Sequence, residues 1–180
     1  MKDGFKLVKK ASISVDALNF QCIKPVFCPD LWESHTAEGS PHARFLRDYM
    51  QHGKDWNILL KTDYIEQYRR WNDMGFRRFN GEERGKPYFK LKILNFISLF
   101  QSIKKNGYDS ASVLSVLRPP FWATRYNASM PFSGYEIWHG HHRAACCYVL
   151  GIKSVPCNIM KDKKPGSCKS RFDQRLKGLK

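Results

Sequence analysis

The chain has 180 residues, 42% of them hydrophobic and 14% aromatic, which is enough to enclose one core and too few for two ordinary domains. Lys and Arg number 31 against 16 Asp and Glu, a formal net charge of +15. That excess points to anionic partners (nucleic acid, nucleotides, phosphorylated sugars, acidic membrane surfaces) without choosing among them. No apolar run approaches the ~18 residues of a spanning helix, and residues 1–6 lack the pattern of a secretory signal, so a soluble, cytoplasmic chain is expected.

In chain order, residues 11–26 mix β-branched residues with partial alternation and are bounded by Pro25 and Pro29, which predicts one or two strands. Residues 31–40 read as loop. Ser40 and Pro41 then supply a cap and a first-turn proline for a helix that runs to about Gln51 and stops at Gly53. A second helix is expected from Thr62 and Asp63 to Gly75, opened by an approximate capping box. Residues 76–87, rich in Arg, Gly and Glu, read as an exposed connection.

A third helix is predicted over residues 91–105. Leu91, Leu94, Ile97 and Phe100 or Ile103 form its apolar stripe, and Asn106 and Gly107 close it. Residues 111–118 read as a strand ended by Pro119 and Pro120. An aromatic loop leads to a second strand over residues 135–138, a helix follows over 141–150, and Gly151 stops it. Residues 154–160 return as a strand in which Pro156 demands an edge or strand-start position. The tail, residues 161–180, holds eight Lys or Arg against two Asp and is expected to be a flexible basic arm.

The six cysteines, at positions 22, 28, 146, 147, 157 and 168, have no regular spacing, and Cys146 and Cys147 sit in an apolar helical run. Reduced, mostly buried thiols follow rather than a disulfide framework.

The chemistry concentrates at the strand-to-helix junction. A strand that ends at Gly140 and a helix that starts at His141 leave first-turn N–H groups pointing outward at the positive end of the helix dipole, which is an anion site. Glycine permits close backbone approach, Arg143 can offer a forked pair of donors to phosphate oxygens, and His141 and His142 add donors or a proton relay. Zinc held by His139, His141, His142 and Cys146 is disfavoured, because side chains at a helix start diverge and no paired ligand motif accompanies them.

The run Gly140, His141, His142, Arg143, Ala144, Ala145, followed by Leu150, Gly151, Ile152 and by Val155, Pro156, resembles the core of the ParB/sulfiredoxin superfamily. Upstream, Leu99, Ser102, Ile103 and Gly107, with the strand after them, are similar to that superfamily's preceding helix and strand, so residues 91–160 are covered. The resemblance implies an α+β fold. It would be a single domain over residues 1–160 with a small mixed sheet flanked by helices, a core at 91–160 and an N-terminal helical elaboration at 1–90.

Sulfiredoxins of this superfamily carry a cysteine in the loop, where this chain has His141, so sulfinic acid repair is disfavoured. Its CTP-binding partition proteins carry acidic and basic residues there. Its free-serine kinases carry an aspartate before G-H-H-R, and His139 stands in that place here.

The closest motif therefore implies a kinase-like phosphotransferase. It would bind ATP or another nucleoside triphosphate or diphosphate with Mg²⁺ and pass a phosphoryl group to a hydroxyl of a small molecule or sugar. Gly140, His141, His142, Arg143 and Ser102 would bind the nucleotide. His139, His141, His142 and Arg143 would serve the chemistry, with Glu33, Glu38 or His42 from the irregular 33–42 segment as base. The alternative is a DNA-associated, ParB-like nucleotide-binding or nuclease-like protein whose basic surface follows a nucleic acid, although no helix-turn-helix reader is visible. A non-enzymatic nucleotide sensor is a third reading.

Overall fold

The computed structural model describes residues 5–20, 28–73, 86–118 and 134–162. Five strands and five α-helices follow along them in this order: β1 (Phe5–Ser14), β2 (Leu18–Asn19), α1 (Pro41–His52), α2 (Trp56–Leu59), α3 (Asp63–Asp73), α4 (Lys86–Asn106), β3 (Leu114–Leu117), β4 (Tyr135–His139), α5 (His141–Val149) and β5 (Ser154–Asp162). The class is mixed α+β. The expected strands at 21–26, the 76–85 connection, the aromatic loop and the basic tail lie outside the described residues.

The sheet order is β1-β5-β3-β4-β2. β5 runs antiparallel to β1 and parallel to β3, β4 is antiparallel to β3, and β2 is parallel to β4. Between the parallel β3 and β5 the chain returns through β4 and α5, so the Gly140 turn lies beside the middle of the sheet rather than at its rim. β5 is an inner strand. Pro156 is tolerated because it sits at the strand start, opposite Ser12 of β1 and one residue before pairing with β3 begins at Cys157.

Side-chain alternation gives the sheet two faces. Leu114, Val116, Ile137, Val155, Cys157 and Ile159 face the main core, which the helices complete. Phe5, Leu117 and Met160, with Trp138 packed on them, form a small second cluster. β1 starts earlier than its sequence suggests: positions 6–10 (Lys-Leu-Val-Lys-Lys) are all exposed, so neither alternation nor hydrophobicity marks them as strand. They are strand because β5 offers a ladder, and the bulge at Leu7/Lys9 with three lysines fits a guarded sheet edge.

The helices are opened by local chemistry. Ser40 caps α1 by accepting from the Ala43 N–H, with Pro41 in the first turn and Gly53, at φ 64°, closing the C-terminus. Asp55 caps the short α2, which the sequence reading did not anticipate. α1 packs on both α3 and α5, and α4 packs on α5.

The buried face of α4 differs from the expected stripe. Ile97, Phe100 and Ile103 are buried as expected, but Leu91 and Leu94 are 55% and 40% exposed. Phe89, Ile93 and Phe96 take the inward positions instead. Aromatic bulk at positions 89 and 96 sets the helix's rotation, and the two leucines are turned outward.

Candidate site at the Gly140 turn

β4 delivers the chain to Gly140, which adopts φ 105° and ψ 22°, the left-handed region open to glycine. A Cβ there would stand 2.3 Å from Leu114 Cδ2 and 3.3 Å from an Arg143 guanidinium nitrogen. The missing side chain thus lets β3 close on the turn, a packing reason for glycine rather than the close ligand approach expected from sequence. As the first residue before α5, Gly140 has no side chain to cap the first-turn N–H groups, in contrast to Ser40 and Asp55 at α1 and α2.

Arg143 does not reach outward as a free fork. One guanidinium nitrogen donates to the Ser112 carbonyl at 2.8 Å and to the Val113 carbonyl at 3.4 Å, which ties α5 to the turn before β3. Its charge still sits behind the loop. Burial pushes the Tyr108 hydroxyl pKa up to about 12 while the Arg143 charge pulls it down.

His142 turns inward, half-buried, into a box of rings. Its Nε2 lies 2.9 Å from the Tyr64 hydroxyl and 3.5 Å from that of Tyr68. Phe96 meets its ring edge to face with centroids 4.6 Å apart, and His42 stands 5.1 Å away at 72°. His141, also half-buried, packs 5.1 Å from Phe20.

The structure therefore gathers four sequence candidates, Gly140, His141, His142 and His42, in one place. His42 arrives in a role other than that expected. It is wholly buried in α1, with its ring 5.0 Å from Phe20, 5.2 Å from Tyr64 and 6.0 Å from Trp32, and a ring so enclosed cannot act as base toward a substrate in solvent.

Four candidates fall outside the box. Glu38 is exposed, and, second to burial, its charge raises the pKa of Tyr148, six residues beyond His142 and so about 9 Å further along α5. Glu33, from the same segment, pairs with Arg44 at 3.0 Å, and Arg44 also binds Asp63 at 2.9 Å. Ser102 is exposed on α4, six residues past the Phe96 that touches His142, and so on a different side of that helix. His139, the last residue of β4, is exposed with its ring 5.8 Å from Trp138.

Sequence reading missed Tyr64 and Tyr68 as partners of the motif, since nothing in local spacing links positions 78 and 74 residues apart. It also missed Glu136, a wholly buried carboxylic acid in the strand that leads to Gly140. The signal available was only its type: a carboxylic residue at an inward strand position is unusual.

The cysteines among the described residues, Cys28, Cys146, Cys147 and Cys157, are core. Burial holds the thiols of Cys28, Cys147 and Cys157 up at about 11, 12 and 12, with Cys146 higher still, so none is poised as a thiolate. Among the described residues no group of three or more His, Cys, Asp and Glu side chains is placed to hold a metal ion. No protein-family model, curated protein or solved structure matches the chain.

Proposed function

We propose that the chain is a ParB/sulfiredoxin-type domain that binds the phosphates of a nucleotide at residues 140–143 and transfers a terminal phosphoryl group to a hydroxyl of a small molecule or sugar. The observation that carries the reading is the start of α5. A left-handed glycine opens the helix without a side-chain cap, and two histidines and an arginine follow it directly.

In this reading the first-turn N–H groups receive phosphate oxygens, and the anchored Arg143 adds positive potential behind them. In the transfer, the bond from the terminal phosphorus to its bridging oxygen breaks, a bond to the acceptor oxygen forms, and the acceptor's proton passes to a base. His139, exposed at the end of β4 where the kinase-like motif carries aspartate, is assigned that role in place of Glu38 and His42. A neutral imidazole nitrogen without a proton can accept one from a hydroxyl. Mg²⁺ would arrive with the nucleotide and neutralise phosphate charge, but the described residues around Gly140 gather no carboxylate set for it, and no step is assigned to it.

The test is titration of the full chain with ATP and Mg²⁺, then phosphorus NMR of ATP turnover with a pool of hydroxyl-bearing metabolites. The expected result is acceptor-dependent turnover that His139→Ala slows by about 10²- to 10⁴-fold, the usual contribution of a general base. Absence of nucleotide binding together with tight, salt-sensitive DNA binding would overturn the reading in favour of the DNA-associated one, to which the net charge of +15 is also suited.

A further inference from the structure

Tyr64 is wholly buried, and its hydroxyl faces Nε2 of His142 at 2.9 Å. A buried phenol needs a partner for its proton. Burial first, and the neighbouring Tyr68 phenol second, hold the Tyr64 pKa well above its ordinary value, so the group stays neutral and keeps that proton. A neutral phenol donates to an imidazole nitrogen that carries no proton and accepts from one that does, so the ring's tautomer sets the direction of this bond. Neutral imidazole has one donor and one acceptor nitrogen, so acceptance at Nε2 leaves the ring proton on Nδ1. By covalent geometry Nδ1 is the nitrogen nearer the backbone, here the first turn of α5. The ring is also fixed from the sides, by Phe96 at 80° and by Tyr64 itself at 84°.

We propose that Tyr64 donates its hydroxyl proton to Nε2 of His142 and is thereby a positioning residue that acts through His142, locking the imidazole as its Nδ1–H tautomer in one orientation beside the Gly140 turn. The lock is a property of the protein without ligand. Its consequence, a single arrangement of the loop for a phosphate, rests on the nucleotide-site reading. A fixed tautomer spares the site the cost of selecting one at each binding event. Tyr68, at 3.5 Å, stands at the edge of hydrogen-bond range and is the natural control.

The experiment is nitrogen NMR of histidine-labelled full-length chain, at a pH where imidazole is neutral, with the His142 signal assigned by its loss in His142→Gln. Wild type, Tyr64→Phe and Tyr68→Phe are compared, and each is titrated with ATP. Phenylalanine keeps the ring and removes only the hydroxyl. The expected result is an Nδ1–H pattern for His142 in wild type and Tyr68→Phe, lost in Tyr64→Phe, with ATP binding about three- to tenfold weaker only in the latter. An Nε2–H or cationic His142 in wild type overturns the lock, and this measurement needs no variant at position 64 to fold. A tautomer change that leaves ATP affinity untouched overturns the positioning role. A lock present in a wild-type chain that binds no ATP upholds the tautomer assignment and sinks the nucleotide-site reading instead.

Discussion

Residues 134–162 build the Gly140 turn from consecutive positions: a strand, a left-handed glycine, a helix and a returning strand. Helices α1 and α3 reach the same place with single side chains, His42 from one and Tyr64 and Tyr68 from the other. The first region supplies backbone donors and the second supplies walls. The helical segment therefore does more than decorate a β-β-α-β unit, because without it His142 would lose its hydrogen-bond partner and the rings of His42 and Tyr64, and would keep only Phe96 of α4 among these walls.

The largest expected effect strikes the walls. Phe96 is 2% exposed and touches Phe45, Tyr64, His42 and His142. Phe96→Ala should cost about 3–5 kcal/mol in urea unfolding and release His142 as well. A loss under about 1 kcal/mol would mean that the box is not the packed unit described.

Gly140→Ala tests the turn itself. The left-handed backbone and the 2.3 Å approach to Leu114 together predict a loss of about 2–4 kcal/mol. Should the variant keep full stability, the turn is not built around a missing side chain. Arg143→Lys keeps the charge, but its shorter side chain falls short of the Ser112 and Val113 carbonyls that one guanidinium nitrogen meets, so about 1–2 kcal/mol of stability should go. Ligand affinity is expected to fall less than stability, since Arg143 is first an anchor between α5 and the turn before β3.

How much of this was legible depends on the range over which the physics acts. Ser40, Gly53 and Gly140 announce helix boundaries because caps and left-handed turns are local. The strand of lysines at 6–10 was not legible, since its pairing with β5 is set about 150 residues away, at positions 158–162. The motif at 140–143 was readable as an anion site, but the commitment of Arg143 to Ser112 was not, nor was the meeting of His42 with His142. His42 closes a segment without periodicity, so its position in the sequence says nothing of burial, whereas the side chains of Phe20, Trp32 and Tyr64 close over it at the start of α1.

A smaller effect separates the loop at 31–39 from the turn. Burial lowers the pKa of His35, whose carbonyl accepts from the Phe20 N–H at 2.7 Å. The folded state thus prefers the neutral ring, so the unfolded chain binds the extra proton. Stability from this group is full above the ordinary imidazole value of about 6.5 and is lost as pH falls through the lowered folded value. His35→Asn should flatten the stability profile in that acidic window while leaving ATP binding at neutral pH unchanged. A profile that keeps its slope in the variant would assign the acid sensitivity to another group.

The smallest expected effect concerns α4, where two leucines that sequence spacing places in the core are turned out of it. Leu94 is 40% exposed, whereas the adjacent Ile93 is wholly buried. Ile93→Ala should therefore cost about 2–5 kcal/mol, and Leu94→Gln should stay within about 0.5 kcal/mol. The pair matters because a rotation of one residue, about 100°, would exchange the two values and would also carry Phe96 away from His142. A Leu94→Gln cost above about 1 kcal/mol, with Ile93→Ala mild, would place α4 in the phase that the leucine stripe suggests, and the aromatic wall of the site would have to be drawn from other residues.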